Sequence, residues 1–162
     1  MAAVDYFLKL EGVEGESKKK DHSDEIELES WSFGESNAGS FANGSGGGSG
    51  KVSMQDFHFT MLVNKASPVL FEYCATGKHI TSAKLTCRKS GDGQQEFLKI
   101  EFTDCLVSSY QVGGSAGSSV LPTDQIALNF AKIKYEYWPQ EASGKLGVVK
   151  SGKFDLTLGE KG

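Results

Sequence analysis

Three stretches of this chain contain residue types that can do chemistry. Gly113-Gly114-Ser115-Ala116-Gly117 matches the G-x-S-x-G pattern that presents a nucleophilic serine on a sharp strand-to-helix turn. That chemistry needs a helix after the serine, and a histidine and an acid later in the chain. Here Ser118-Ser119-Val120-Leu121-Pro122 follows, which does not read as a helix, and no histidine occurs after His79. Ser115 is therefore predicted to sit in a plain loop. Gly46-Gly47-Gly48-Ser49-Gly50-Lys51 approaches a phosphate loop. The pattern demands glycine where Ser45 stands and a hydroxyl residue where Val52 stands. Lys51 leads into a strand, so no helix N-terminus is there to hold a phosphate. The histidines His22, His58 and His79 are far apart, with no cysteine at metal-ligand spacing. Asp56 and His58 share a strand face as a surface pair. Glu25, Glu27 and Glu29 alternate as a solvated or interface face. No catalytic, cofactor-binding or metal-ligating set emerges, and an enzyme is not expected.

Charge narrows the partners. The net charge is −4 with acids and bases interspersed, which provides no footprint for a phosphate backbone. The one basic run, Lys18-Lys19-Lys20, is flanked by Glu14, Glu16, Asp21, Asp24 and Glu25 and reads as a solvated loop. Cys74, Cys87 and Cys105 are an odd set among apolar neighbours and contain no CxxC pair, so buried reduced thiols are expected, in keeping with folding in a reducing cytosol. The N-terminal stretch carries charge and lacks the apolar region of an export signal. No segment is long enough and apolar enough to span a membrane. The Asn43-Gly44-Ser45 glycosylation sequon carries no meaning without such a signal.

The elements that would position these residues are mostly strands. The chain has 162 residues, 38% of them apolar, with 20 glycines and few prolines, which favours one β-rich domain over residues 1–162. Val4, Tyr6, Leu8 and Leu10 alternate on one face, and Phe7 on the other suggests a strand covered on both sides. Ile26 and Leu28 give way one register out to Trp31 and Phe33. The same slip separates Val52 and Met54 from Phe57, Phe59, Met61 and Val63, and Ile126, Leu128 and Phe130 from Ile133, Tyr135 and Tyr137. Each reads as a β-bulge, the device that curls a sheet towards a barrel. Further strands run through Ala83-Leu85-Cys87, Leu98-Ile100-Phe102 towards Tyr110, and Phe154-Leu156-Leu158. Ser90-Gly91-Asp92-Gly93 and Pro139 to Gly147 read as turns. One helix of roughly nine or ten residues is predicted, capped by Ser67, with Pro68 at its first position and Gly77 at its end. Gly39 to Gly50 and Gly113 to Ser119 are glycine- and serine-rich loops. Composition and spacing lead to a mainly β chain, a small β-barrel with one short α-helix, and go no further.

Many short segments in order carry a resemblance over nearly the whole chain. They include Asp5-Tyr-Phe-Leu-Lys9, Gly15-Glu-Ser17, Ile26-Glu-Leu-Glu-Ser-Trp31-Ser-Phe-Gly34, Gly46-Gly-Gly-Ser-Gly-Lys-Val52, Gln55-Asp-Phe57, Lys65-Ala-Ser-Pro68 to His79, Ala83-Lys-Leu-Thr86, Leu106-Val-Ser-Ser109 and Leu128-Asn-Phe-Ala131. Together they resemble the hemolysin-coregulated protein (Hcp) family, the ring and tube protein of type VI secretion. The resemblance implies a β-barrel of two sheets with one helix, assembling as a hexameric ring. It implies that rings stack into a hollow tube, tipped by a spike protein and fired by a contractile sheath, with effector proteins held inside the ring. It also implies a protein that is cytoplasmic before firing and then secreted without a signal peptide. No cofactor, nucleic acid or membrane insertion is implied. The ring-stacking role falls to the loop Phe41 through Lys51, with Asn43, Gly46, Gly47, Gly48 and Gly50 supplying its freedom and Phe41 as its anchor. If Trp31 and Phe33 face the interior, Ser30 and Ser32 point the opposite way and would form a lumen surface for cargo. Two departures stand out. Gly152-Lys-Phe154-Asp occupies the C-terminal region where the family often has a tryptophan, and the loop after Gly113 is unlike the family's. Two rival readings are a ligand-binding barrel with Trp31, Trp138 and the tyrosines lining a pocket, and an enzyme using Ser115.

Overall fold

The computed structural model describes residues 3–39, 51–91 and 93–162. The elements run β1 (Val4–Leu10), β2 (Ile26–Leu28), β3 (Ser30–Ser32), β4 (Glu35–Asn37), β5 (Val52–Met54), β6 (Phe57–Leu62), α1 (Ala66–Thr76), β7 (His79–Lys89), β8 (Glu96–Gly113), β9 (Thr123–Tyr137) and β10 (Lys150–Asp155). Eight strands form one antiparallel sheet in the order β2-β1-β7-β8-β9-β6-β3, with β10 added to the free half of β9. β4 and β5 form a separate two-stranded ribbon.

The sheet is an almost closed barrel. Its two end strands, β2 and β3, are consecutive in the chain and separated only by Glu29, whose N–H donates to the Thr60 carbonyl of β6 at 2.9 Å. The slips seen in the sequence at 28–31 and 54–57 are therefore not bulges. At each, one strand ends and the chain moves to a new partner: β2 pairs β1 while β3 pairs β6, and β5 pairs β4 while β6 pairs β3 and β9. The third slip lies within continuous β9. The true register shifts fall at Cys87/Arg88 between β7 and β8, and at Val107/Ser109 between β8 and β9, which leaves Ser108 as the extra residue in β8. Asp104 of β8, opposite Ala131, has φ 56°, and Phe102 and Cys105 are both buried on either side of it. That left-handed residue turns the strand over and bends the long β8–β9 ribbon.

Alternate residues of these strands fill the barrel. Leu8, Leu10, Ile26, Phe57, Phe59, Met61, Leu85, Ile100, Phe102, Ile126 and Leu128 are all buried in one cluster. Phe57, Phe102 and Phe130 pack through it as tilted pairs, with centroids 4.7 and 4.8 Å apart. Helix α1 covers the barrel with Ala66 and Leu70 fully buried. It ends as the sequence predicts, at Gly77 with φ 71°, whose N–H bonds the Tyr73 carbonyl. Its start differs. Lys65 is the N-cap and Ser67 lies inside the first turn. The Asn64 side chain accepts the Ala66 N–H at 2.9 Å, while the Ser67 hydroxyl donates to buried Asp124 at 2.5 Å, and Tyr110 donates to the same carboxylate at 2.7 Å. Ser67 thus bolts the helix to β9 instead of capping it. The last strand begins at Lys150 and stops at Asp155. Leu156 and Leu158 belong to the turn beyond, because Asp155 folds the chain back by accepting the N–H groups of Thr157 and Leu158.

Phe7 points to the other face of the sheet, as its place in the alternation indicates, and is fully buried there. The segment 11–25 covers it. That segment closes on itself through Gly15 N–H to the Asp24 carbonyl, Ser17 N–H to the Glu25 carbonyl and Asp24 N–H to the Ser17 carbonyl. Gly15 is required: a Cβ there would stand 2.5 Å from the Glu25 carbonyl oxygen.

Candidate functional site

The strands β3, β6, β9 and the end of β8 lie side by side, and their registers fix which residues share a row. Ser30 pairs with Thr60, Thr60 with Gln125, and Gln125 with Gln111. One row along, Ser32 pairs with His58, His58 with Ala127, and Ala127 with Ser109. These eight side chains form one outward face with a shallow hollow of about 290 Å³. None carries a fixed charge, and His58 is the one titratable group among them. Ser30 and Thr60 hydroxyls bond to each other at 2.6 Å.

The orientation of this face follows from what lies beneath it. Trp31 is half-buried against Tyr6 and Phe57, and Phe33 against Phe102 and Phe130. With those rings turned inward, Ser30 and Ser32 are exposed on the opposite side. The rest of the face could not be read from one strand alone, since its rows join residues of four different strands, with Thr60 meeting Gln125 and His58 meeting Ala127.

Both lateral edges of this four-stranded face are unpaired among the described residues. β3 pairs only with β6. Pairing between β7 and β8 ends at His79 and Leu106, so from Val107 to Gly113 β8 has β9 as its only strand partner among the described residues. Such edges are templates for pairing with another chain. On a different side, Phe33, Met54, Tyr135, Tyr137 and Phe154 line an apolar cleft between β10 and the β4–β5 ribbon.

The remaining sequence candidates are placed as follows. Phe41, Asn43, Gly46, Gly47, Gly48 and Gly50 lie outside the described residues, and Lys51 is exposed immediately before β5. Ser115 is exposed in the connection from β8 to β9, and the next element is a strand, so the nucleophile-elbow geometry is not built. Asp56 accepts bonds from Ser108 at 2.5 Å and Asn129 at 3.0 Å, which holds it at the rim of the face. Trp31 and Trp138 line different hollows, so no common aromatic pocket forms. Glu25 departs from the solvated row expected for Glu25, Glu27 and Glu29: it bonds His22 at 2.9 Å. All three cysteines are free, and burial pushes the thiols of Cys87 and Cys105 up to about 12, which removes them as nucleophiles. No helix among the described residues is long and apolar enough to cross a membrane.

Known proteins agree with this architecture. Residues 7–137 match the family described as type VI secretion system effector, Hcp. The chain is 47% identical over 153 residues to Protein hcp1 of Pseudomonas aeruginosa, covering 93% of this chain and 94% of that one. The crystal structure of Hcp1 from Salmonella typhimurium superposes with a TM-score of 0.83 at 35% identity over 99% of both chains. A structure described as a type six secretion system protein superposes with a TM-score of 0.92 at 28% identity, over 99% of this chain and 100% of that one. The chain belongs to the Hcp family, secreted structural proteins of the type VI secretion system and not enzymes.

Proposed function

We propose that this chain acts as one domain and is the subunit of the type VI inner tube. Copies close into a hexameric ring, rings stack, and the tube carries effector proteins in its lumen. The observation that carries this reading is the face Ser30–Ser32–His58–Thr60–Gln125–Gln111–Ser109, which has no fixed charge and is bounded by two strand edges unpaired among the described residues. An edge at each side of one sheet suits a heterologous, head-to-tail interface whose rotation closes. The apolar cleft with Tyr135 and Tyr137 gives a neighbouring copy a surface to bury. A face of hydroxyls and amides faces the lumen. It can hydrogen-bond varied cargo, and the absence of fixed charge avoids the strong pairs that would slow release.

In the same reading the loop from Phe41 to Lys51 bridges to the next ring, and Phe41 anchors it. The tube, tipped by a spike protein, leaves the cytoplasm when a contractile sheath drives it out.

Light scattering and negative-stain imaging of one purified fraction test the assembly. Six-fold rings with an open centre are expected, and a strict monomer at all concentrations and salt would overturn the reading. Ser32→Arg should leave rings intact and abolish effector retention. Unchanged retention would remove the lumen assignment. Deleting residues 43–50 should leave rings that no longer stack.

A further inference from the structure

His22 is 6% exposed and sits between two carboxylates from distant parts of the chain. Its Nδ1 lies 2.9 Å from Glu25 Oε1, and its Nε2 lies 2.5 Å from Glu96 Oε1. Its ring stacks on Phe7, with centroids 4.3 Å apart and planes within 4°. A neutral imidazole has one N–H, so it can donate to only one of two carboxylates. Both contacts are hydrogen bonds only when a further proton is present.

The surroundings decide where that proton resides. Burial by itself would raise the Glu96 carboxyl, but hydrogen bonds and positive charge from His22 and Lys99 outweigh it and hold the group below the usual carboxylate range. Lys99 Nζ is 3.3 Å from Glu96. Glu96 is thus ionised at neutral pH, so a proton that satisfies both contacts at once is carried by the ring and not by this carboxylate. The other charged groups around the same hollow are Lys9 of β1, Lys84 and Arg88 of β7, and Lys20 and Asp21 of the covering segment itself. Arg88 is 2% exposed and donates to the Lys20 carbonyl at 2.9 Å.

We propose that Glu25, His22 and Glu96 form a proton-dependent clasp that fastens the 11–25 segment to the sheet and loosens it when the imidazole loses its proton. Loss of the proton removes one charge-assisted hydrogen bond and leaves a buried nitrogen lone pair facing a carboxylate. The imidazolium contribution is therefore present on the acid side and lost as pH rises. The Glu96 contribution has the opposite sign and is lost only as pH falls through its lowered carboxyl value.

Hydrogen exchange on the intact protein tests this between about pH 5 and about pH 8, the interval in which an ordinary imidazole can change charge. The bonded amides of Gly15, Ser17 and Asp24 should lose about tenfold in protection, relative to amides of β9, across that interval. In Glu96→Gln, and in Glu25→Gln as the second variant, the difference should vanish. Nitrogen-15 imidazole shifts of His22 should show two protonated nitrogens at the acid end. A neutral ring there, a flat profile in the unmodified protein, or the same tenfold loss in both variants would overturn the proposal.

Discussion

The barrel presents two contrasting outer surfaces. On β3, β6, β9 and the end of β8 the face is bare, built from Ser30, Ser32, Thr60, Ser109, Gln111 and Gln125. On β1, β7 and the start of β8 it is covered, and the cover is fastened by His22, Glu25, Glu96 and Arg88 around Phe7. Hydroxyls and amides remain solvated at little cost and form weak, exchangeable contacts. Buried ions are held only with their partners in place, and losing one is expensive. One surface is suited to meeting other molecules and the other to holding its own chain.

Substitutions should separate the two surfaces by size of effect. Phe7→Ala empties the floor of the covered side and should cost about 3–5 kcal/mol of stability, read as a fall in the chemical-denaturation midpoint. The exposed serines on the far side should be unaffected. Asp124→Ala strips the Ser67 and Tyr110 hydroxyls of their shared acceptor and should cost about 1–3 kcal/mol, with exchange of α1 amides rising first. Gly15→Ala forces a Cβ against the Glu25 backbone and should cost a similar or smaller amount, about 1–3 kcal/mol, localised by exchange to residues 14–25. Ser32→Ala should change stability by less than about 0.5 kcal/mol. A large loss there would mean the bare face is structural, and the contrast would fail.

Legibility in the sequence followed the range of the interaction. Phe7 stood out because period-two alternation needs only its neighbours, and so did the outward turn of Ser30 and Ser32. The helix end at Gly77 was readable because a left-handed cap is local. The clasp was not: His22 meets Glu25 three residues on, but Glu96 lies 74 residues away, and Glu25 looked like one of an exposed row. Ser67 looked like a cap because Asp124, its actual acceptor, is 57 residues distant. The slips at 28–31 and 54–57 were visible, yet a change of strand partner and a bulge leave the same mark in a pattern of apolar residues. Only the pairing tells them apart.

The seam at Glu29 has a consequence for synthesis. β2 and β3 adjoin in the chain, but the path that joins them through the sheet passes from β6 to β9, pairing Phe57 with Leu128. A chain emerging from the ribosome can form β1–β2, β3–β6 and β1–β7 early, whereas the barrel stays open until β9 has appeared. Closure therefore waits on distant partners, the slow regime for a β topology. Until then the β6 edge that β9 will cover is exposed to other nascent copies, so crowding during translation is the moment at which this barrel is most exposed to mispairing.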